Sequence, residues 1–306
     1  MALVSVIVPI YNPRPDHLDE ALSGISSQSV KDVEVVVIND GSTDRSFDSV
    51  LERHKRLVKY IEQPNSGVAG ARNAGLKAAG GKYTAFLDQD DRWRPDKLEK
   101  QLGIFKEDSG VDVVFHPVRQ IDESGSPRRP NISKERRLAR RRRSKDTLAA
   151  LLQGNFIYSP TVLARRSCFD TVGGFDPSVD PHDDWDMWLR LALAGFKFRA
   201  LEEPLADWRV HPGNTSGDKD LMLHTRIAVI DKLARSGRLP ERLGPALTRA
   251  RAECHVTLAH HHYNGKRYRE FRDEIRTAAA ADWRAAAGFK IFRRWCGSVV
   301  LERVGS

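Results

Sequence analysis

Three carboxylates stand within four residues at Asp88-Gln89-Asp90-Asp91. As ions held that close they repel one another, and a cation relieves the repulsion. Mg2+ and Mn2+ suit the role, because Mg2+ is commonly held by one or two carboxylates plus substrate phosphates rather than by an all-protein cage. The natural third party is a diphosphate, whose charge such an ion neutralises as the group departs. A carboxylate after a strand can also simply cap the next helix, a role that suits Asp44 better than the 88–91 cluster. Two more polar sets follow apolar runs in the same way: Asn12 after the first, and Asn39 with Asp40 after the second. The other common phosphate-binding devices are missing. No GxGxxG follows the first run. The stretch GLKAAGGK at 75–82 has the wrong spacing for a P-loop, follows a helix, and puts Tyr83 where Ser or Thr is required.

These side chains need a frame that brings them to one edge. Val4–Pro9, Val33–Ile38, Leu57–Ile61, Tyr83–Leu87, Val111–Val118, Thr161–Ala164 and Phe196–Leu201 read as strands. His17–Ser27, Asp44–Lys55, 68–79, Pro95–Glu107, Asp146–Leu152 and Asp183–Ala194 read as helices, with Gly80-Gly81 ending the third at no steric cost. Alternation of this kind implies an α/β fold: a Rossmann-like, mostly parallel central sheet flanked by helices. In such sheets ligands bind beyond the carboxyl ends of the strands where strand order reverses, which is where Asn12, Asp40 and the 88–91 cluster would lie. Residues 121–145, rich in Pro, Ser and Arg, read as a mobile loop. From about residue 218 strand signals stop, and helices are expected at 218–236, 241–262, 267–281 and 283–302. The expected division is an α/β domain over 1–216 and an α-helical C-terminal region over 217–306.

Of the 306 residues, 40% are hydrophobic, enough for a sizeable core and too many for a disordered chain. Cys168, Cys254 and Cys296 form no CxxC pair, which fits a reducing compartment. No secretory leader is visible and no apolar run approaches about eighteen residues, so a cytoplasmic protein without a membrane span is expected. The formal charge of +9 is uneven: eight basic and two acidic residues between Lys134 and Asp146 carry +6 of it. That basic loop is read first as a solvated segment, with an anionic bilayer or a phosphate-bearing acceptor as the charged partners it could attract. The segment Phe289–Val304 mixes cations with Phe, Trp and Val, and is the other candidate for peripheral contact with the inner membrane face. Nucleic acid is not expected as a partner, because aromatic residues do not interleave with the basic ones.

In order and spacing, VSVIVPIYNP, VVVINDGSTD, NSGVAGARNAGL and FLDQDDRW resemble the family 2 glycosyltransferases of the GT-A fold, as do VGGFD, HDDWDMWLRLA and WRVHPGNTS further on. The resemblance covers roughly residues 1–216. It implies that Pro9, Tyr11 and Asn12 line a nucleotide pocket, and that Asp40 hydrogen-bonds the base, uracil being favoured. Arg72 and Asn73 would contact the nucleotide and diphosphate. Asp88, Gln89 and Asp90 correspond to the DXD loop that binds ribose and metal, with Asp91 beside them. Asp184 resembles the catalytic base and Asp183 its neighbour, where the family usually has Glu-Asp. Trp208 and Arg209 belong to the last motif, and His211 aligns with a residue that completes the metal or diphosphate site. The QxxRW signature of processive members is absent, so one or a few sugars per acceptor are expected.

The implied reaction is inverting, metal-dependent transfer of a sugar from a nucleotide-diphosphate donor to a hydroxyl of a glycan or lipid-linked glycan, with Mn2+ or Mg2+ as cofactor. An acceptor hydroxyl is a poor nucleophile near neutral pH, so a positioned carboxylate must take its proton as the bond forms. A helix over 183–194 buries Trp185, Trp188, Leu189 and Ala192 as one face, and burying that stripe aims Asp184. Two rival readings remain. A nucleotidyltransferase would carry a Gly-rich basic loop after the first strand, where this chain has Tyr11-Asn12-Pro13-Arg14-Pro15; an inactive adaptor would show neither transfer nor hydrolysis of any sugar nucleotide.

Overall fold

A computed structural model describes residues 2–287 together with Ile291, Arg294, Trp295 and Ser298. The chain divides into two compact units, Met1–Leu151 with Asn155–Asn214, and Leu152–Gly154 with Thr215–Ser306. In the first unit, strands and helices alternate as β1 (Val4–Ile10), α1 (Pro15–Ser26), β2 (Val33–Asp40), α2 (Asp48–Arg53), β3 (Val58–Gln63), α3 (Gly67–Ala78) and β4 (Tyr83–Phe86). They continue through β5 (Arg92–Trp93), α4 (Lys97–Glu107), β6 (Val113–Phe115), β7 (Val118–Ile121), α5 (Ile132–Arg142) and α6 (Thr147–Leu152). The unit closes with β8 (Leu163–Arg165), α7 (Arg166–Val172), α8 (Asp183–Leu193), β9 (Phe198–Ala200) and β10 (Ala206–Arg209).

The seven-stranded sheet has the order β3-β2-β1-β4-β8-β6-β9. Every residue of β1 is buried, as a β-branched strand covered on both faces must be. It runs parallel to β2 and to β4, with Val4 opposite Val33 and Tyr83. β8 is antiparallel to β4 and to β6, so the sheet is mostly, not wholly, parallel. The chain passes from β1 outward to β3 and then returns to β1's other side at β4. That reversal opens a crevice between the carboxyl ends of β1 and β4. Helix α3 can lie close over β1 because Gly75 has no side chain: a Cβ there would stand 2.3 Å from Ile7 Cγ2.

Several expectations change. The expected strand 111–118 divides into β6 and β7 around His116-Pro117, where proline offers no donor to a ladder. β7, β5 and β10 form a separate three-stranded sheet, in the order β5-β10-β7, that the sequence did not announce. Most clearly, the stretch 121–145 is not loop throughout, since Ile132–Arg142 forms α5. Asn131 accepts from Lys134 N and caps α5, and Leu138 is buried beneath it. Five arginines in that helix, with their long straight chains, favour the conformation even where their charges do not.

The second unit contains α9 (Lys219–Arg235), α10 (Gly244–Asn264), α11 (Tyr268–Ala281) and α12 (Trp283–Ala286). Ala259, Phe271, Ile275 and Ile291 form a small core there. The segment Phe289–Val304, a candidate membrane contact, lies mostly outside the described residues. Among the described residues no helix is long and apolar enough to cross a membrane.

Candidate active site

The 88–91 cluster leaves the end of β4 in the crevice, and its three carboxylates meet different partners. Asp88 Oδ1 accepts from Arg72 Nη2 at 2.8 Å and is about one-third exposed. Asp90 Oδ2 lies 2.8 Å from His211 Nε2. Since His211 Nδ1 accepts from Gly213 N, the ring proton sits on Nε2 and points at Asp90. Asp91 is fully buried: Oδ1 accepts from Arg209 N, while Oδ2 has no partner. Burial, together with Asp88, raises the Asp90 carboxyl above its ordinary range. Burial, then Asp90 and Asp88, raises Asp91 well above it. The loop therefore carries more negative charge than its surroundings answer. Gln89 has another task, its Oε1 accepting from Tyr11 N at 2.7 Å and its Nε2 donating to Tyr11 O. This two-way amide pairing ties the ends of β1 and β4 together and leaves the Tyr11 ring 48% exposed at the mouth of the crevice.

Arg72 comes from α3 and is 5% exposed. Its Nη1 donates to Asp183 Oδ2 at 2.8 Å while Nη2 holds Asp88, so one planar fork joins the loop after β4 to the first residue of α8. Burial opposes the charge, but Asp183, Asp88 and Asp184 outweigh it and hold Arg72 firmly protonated. Asp180 belongs to the same group. Burial with Asp183 nearby pushes its carboxyl to about 6, with Arg72 and the backbone N–H groups of Val68 and Ala69 at the start of α3 acting against them.

Asp184 occupies the first turn of α8 beside the buried Asp183. The helix is fixed behind it by Trp185, whose Nε1 donates to Leu151 O, and Trp188, whose Nε1 donates to Ile157 O. Both oxygens of Asp184 accept from Asn155 Nδ2 at 3.2 Å, and Asn155 Oδ1 accepts from Ile157 N, which sets the amide's orientation. Burial and the neighbouring Asp183 raise the Asp184 carboxyl to about 7, with Arg72 and Trp185 N–H acting against them. A carboxylate at that value takes up and gives back a proton near neutral pH.

The remaining expected residues divide between the crevice and its scaffold. Pro9 is buried in β1, where β4 has already left the ladder after Leu87 N donates to Ile7 O, so proline's missing donor costs no strand bond. Asn12 sits in the left-handed region at φ 43°, and its Oδ1 accepts from Thr43 N and Asp44 N, so the amide builds the loop after β2. Asp40 Oδ1 accepts from Gln63 Nε2, Ser66 N and Ser66 Oγ, joining the ends of β2, β3 and the start of α3. Asn73 is engaged by the segment before α8: its amide exchanges two bonds with the Phe175 backbone, and a Cβ on Gly174 would stand 2.3 Å from its Oδ1. Arg209 is fully buried and holds Asp90 O, Glu123 O and Glu20 Oε2, so it props the acidic loop from behind.

Trp208 stacks on Tyr158 with ring centroids 5.4 Å apart and planes 21° from parallel. Burial first, then the charge of Asp184, raises the Tyr158 hydroxyl, which places that phenol in the field of the carboxylate. Asp88, Asp90, His211, Arg72, Asp183 and Asp184 thus form one connected polar group. Asn155, Tyr158 and Asp180 join it without having been anticipated. Asn155 follows Gly154 in an irregular stretch with no periodicity, and no local signal marks it.

The donor set fits a divalent ion in part. Among the described residues no three His, Cys, Asp or Glu side chains are arranged to hold a metal on their own. Asp90 with His211 and the partly exposed Asp88 offer the partial shell that phosphate oxygens complete, and their excess negative charge favours a cation. His211 would ligate through Nε2 only after its proton moved to Nδ1.

Fold and site together define a glycosyltransferase of the GT-A type. Residues 5–173, more than half of the chain, match the sequence profile of Glycosyl transferase family 2, and the chain belongs to that family. It is 33% identical over 223 residues to the putative teichuronic acid biosynthesis glycosyltransferase TuaG of Bacillus subtilis, covering 71% of this chain and 82% of that one. Other curated relatives are longer, and the chain spans 66% of their length. The fold resembles that of S. aureus TarS 1–349 in complex with UDP-GlcNAc, with a TM-score of 0.63, 18% identity, and coverage of 97% of this chain and 79% of that one. It also resembles the mannosyltransferase PcManGT of Pyrobaculum calidifontis in complex with GDP-Man and Mn2+, with a TM-score of 0.65, 22% identity, and coverage of 99% and 79%.

Proposed function

We propose that the protein is an inverting, divalent-metal-dependent glycosyltransferase that moves a sugar from a UDP-sugar to a hydroxyl of a glycan or lipid-linked glycan. One observation carries the reading: Arg72 grips Asp88 with one nitrogen and Asp183 with the other, so the acidic loop and the turn that bears Asp184 are held as one unit. UDP is favoured because Asp40 stands at the end of β2, where the base would lie, and because a structural neighbour binds UDP-GlcNAc. The GDP-Man and Mn2+ bound by another neighbour support a cation at the acidic loop. The name of the Bacillus relative, which mentions teichuronic acid biosynthesis, supports a glycan as the acceptor class. The transfer machinery is assigned to residues 1–216 and a separate helical region to 217–306, in a protein placed in the cytoplasm.

The acceptor oxygen attacks the anomeric carbon from the face opposite the diphosphate. Its proton passes to Asp184, the bond from that carbon to the diphosphate oxygen breaks, and the nucleoside diphosphate leaves with the electron pair. Asp184 is suited to the task by its raised carboxyl and by Asn155, which fixes the carboxylate's plane. Asp90, Asp88 and His211 would hold the ion, which when bound neutralises charge on the departing diphosphate. Arg72 orients Asp88, and the exposed Tyr11 ring offers a face for the base.

The test is Asp184→Asn assayed for both binding and transfer. The variant should retain UDP-sugar binding with Mn2+ and lose transfer by at least about a hundredfold, the scale of a general base. Full activity in Asp184→Asn rejects the assignment.

A further inference from the structure

We propose that α5 and the Tyr158–Trp208 pair form an acceptor subsite for a phosphate-bearing chain, next to Asp184. The inference rests on Asp184 as the base and names the chemistry of what that base deprotonates. Helix α5 has two faces. Leu138 is buried on the inner one, with Arg142 half-buried a turn further on. Ile132, Arg136, Arg137 and Arg140 are exposed on the outer one. Arg136, Arg137, Arg140 and Arg142 have no hydrogen bond and no ion pair within the described residues, whereas Arg143 is fastened to Glu202 by two bonds of 3.0 and 3.1 Å.

Arg142 is half-buried with no ion pair of its own; burial disfavours its charge, and Glu135 and Glu202 nearby act against that without touching it. Arg142 lies within electrostatic reach of Tyr158, and Tyr158 within reach of Asp184. The stacked Tyr158 and Trp208 supply an aromatic wall of the kind that sugar rings pack against, and the segment bearing Tyr158 also bears Asn155, which holds Asp184. Arg142 therefore links the basic helix to the site through Tyr158, and the exposed arginines extend the positive charge from there along α5. Planar guanidinium forks match phosphate oxygens in charge and geometry.

A membrane surface is the competing anion, and the helix suits it less. A helix that lies on a bilayer presents an apolar face to it. In α5 the apolar Leu138 is spent on the domain's own core, and Ile132 at the first position is the single exposed large apolar side chain.

The experiment titrates a glycerol-phosphate hexamer, maltohexaose and phosphatidylglycerol vesicles into the full chain saturated with UDP, at low and high salt. The hexamer should bind, weaken steeply with salt, and bind at least about tenfold more tightly than maltohexaose. Arg142→Gln should weaken the hexamer on the order of tenfold, the scale of a charge-assisted bond, with UDP-induced thermal stabilisation reporting that the variant is folded. A triple replacement of the exposed Arg136, Arg137 and Arg140 by Gln, which leaves the core untouched, should weaken it independently. Equal hexamer binding by the wild type and both variants overturns the proposal. So does vesicle binding that the triple variant loses while hexamer binding stays unchanged. Asp184→Asn should keep hexamer binding; if it also keeps full transfer, the base assignment fails while the polyanion site stands.

Discussion

The side-chain amide of Asn155 stands 3.2 Å from each oxygen of Asp184, donating to both. A single donor shared between two oxygens fixes the plane of the carboxylate without committing either lone pair to a strong partner. The group is therefore aimed but not neutralised, and burial together with Asp183 keeps its proton affinity near neutrality.

The first consequence is kinetic. Because the free protein's Asp184 carboxyl is raised to about 7, kcat/KM should climb roughly tenfold per pH unit below that value and level off above it. Initial rates from pH 5 to pH 9 at low donor concentration measure this. A profile flat between pH 5 and pH 8 contradicts it.

The same shift enters stability. The folded carboxyl lies above its unfolded value of about 3.9, so between about pH 4 and pH 7 the native state holds a proton that the unfolded chain has lost. Stability therefore falls as pH rises through that window. Asp184→Asn removes the penalty and should be more stable than the wild type at pH 8, by on the order of 1–2 kcal/mol after allowance for solvent screening of a half-buried group. Urea unfolding of both proteins at pH 4 and pH 8 reads the difference, which should nearly vanish at pH 4.

Arg72 faces several carboxylates at once. Arg72→Gln leaves Asp183 buried without its cation and should destabilise the protein by about 3–5 kcal/mol at pH 8. Arg72→Lys should recover only part of it, because a single ammonium cannot reproduce a fork that reaches Asp183 and Asp88 together. Chemical denaturation of the three proteins at pH 8 decides; equal stability of the Lys variant and the wild type contradicts the bridging role.

The acidic loop makes a metal prediction. Mn2+ with UDP should raise the melting temperature of the wild type more than UDP alone, and EDTA should cancel the increment. Asp90→Ala should abolish the Mn2+ increment, and His211→Ala should reduce it, since His211 faces Asp90 at 2.8 Å. A Mn2+ increment that survives in Asp90→Ala places the ion elsewhere.

Local pattern carried much of the architecture. The apolar β-branched runs at Val4–Pro9 and Val33–Ile38 lie within the two strands they advertise, and Trp185, Trp188 and Leu189 of the α8 stripe are buried, with Ala192 partly so. These features are legible because strand and helix periods are written within a few residues. The cluster at 88–91 is legible for a similar reason, since adjacent carboxylates are unfavourable anywhere without a cation.

Other features were decided only when distant segments met. Two-residue β5 and four-residue β10 have no period of their own and pair only because the main sheet delivers them side by side. Asn73 and Gln89 match the expected motif yet spend their amides on the Phe175 and Tyr11 backbones, as only tertiary placement could determine. Asn155 gives no sign in the sequence of its partnership with Asp184, 29 positions away. By itself the sequence determined the longer strands and helices of the α/β unit and where the acidic groups leave them, because those depend on near neighbours. The tertiary structure alone decided which carboxylate meets Arg72, which meets Asn155 and which is left buried with an unanswered oxygen, because burial and charge pairing depend on what the rest of the chain brings alongside.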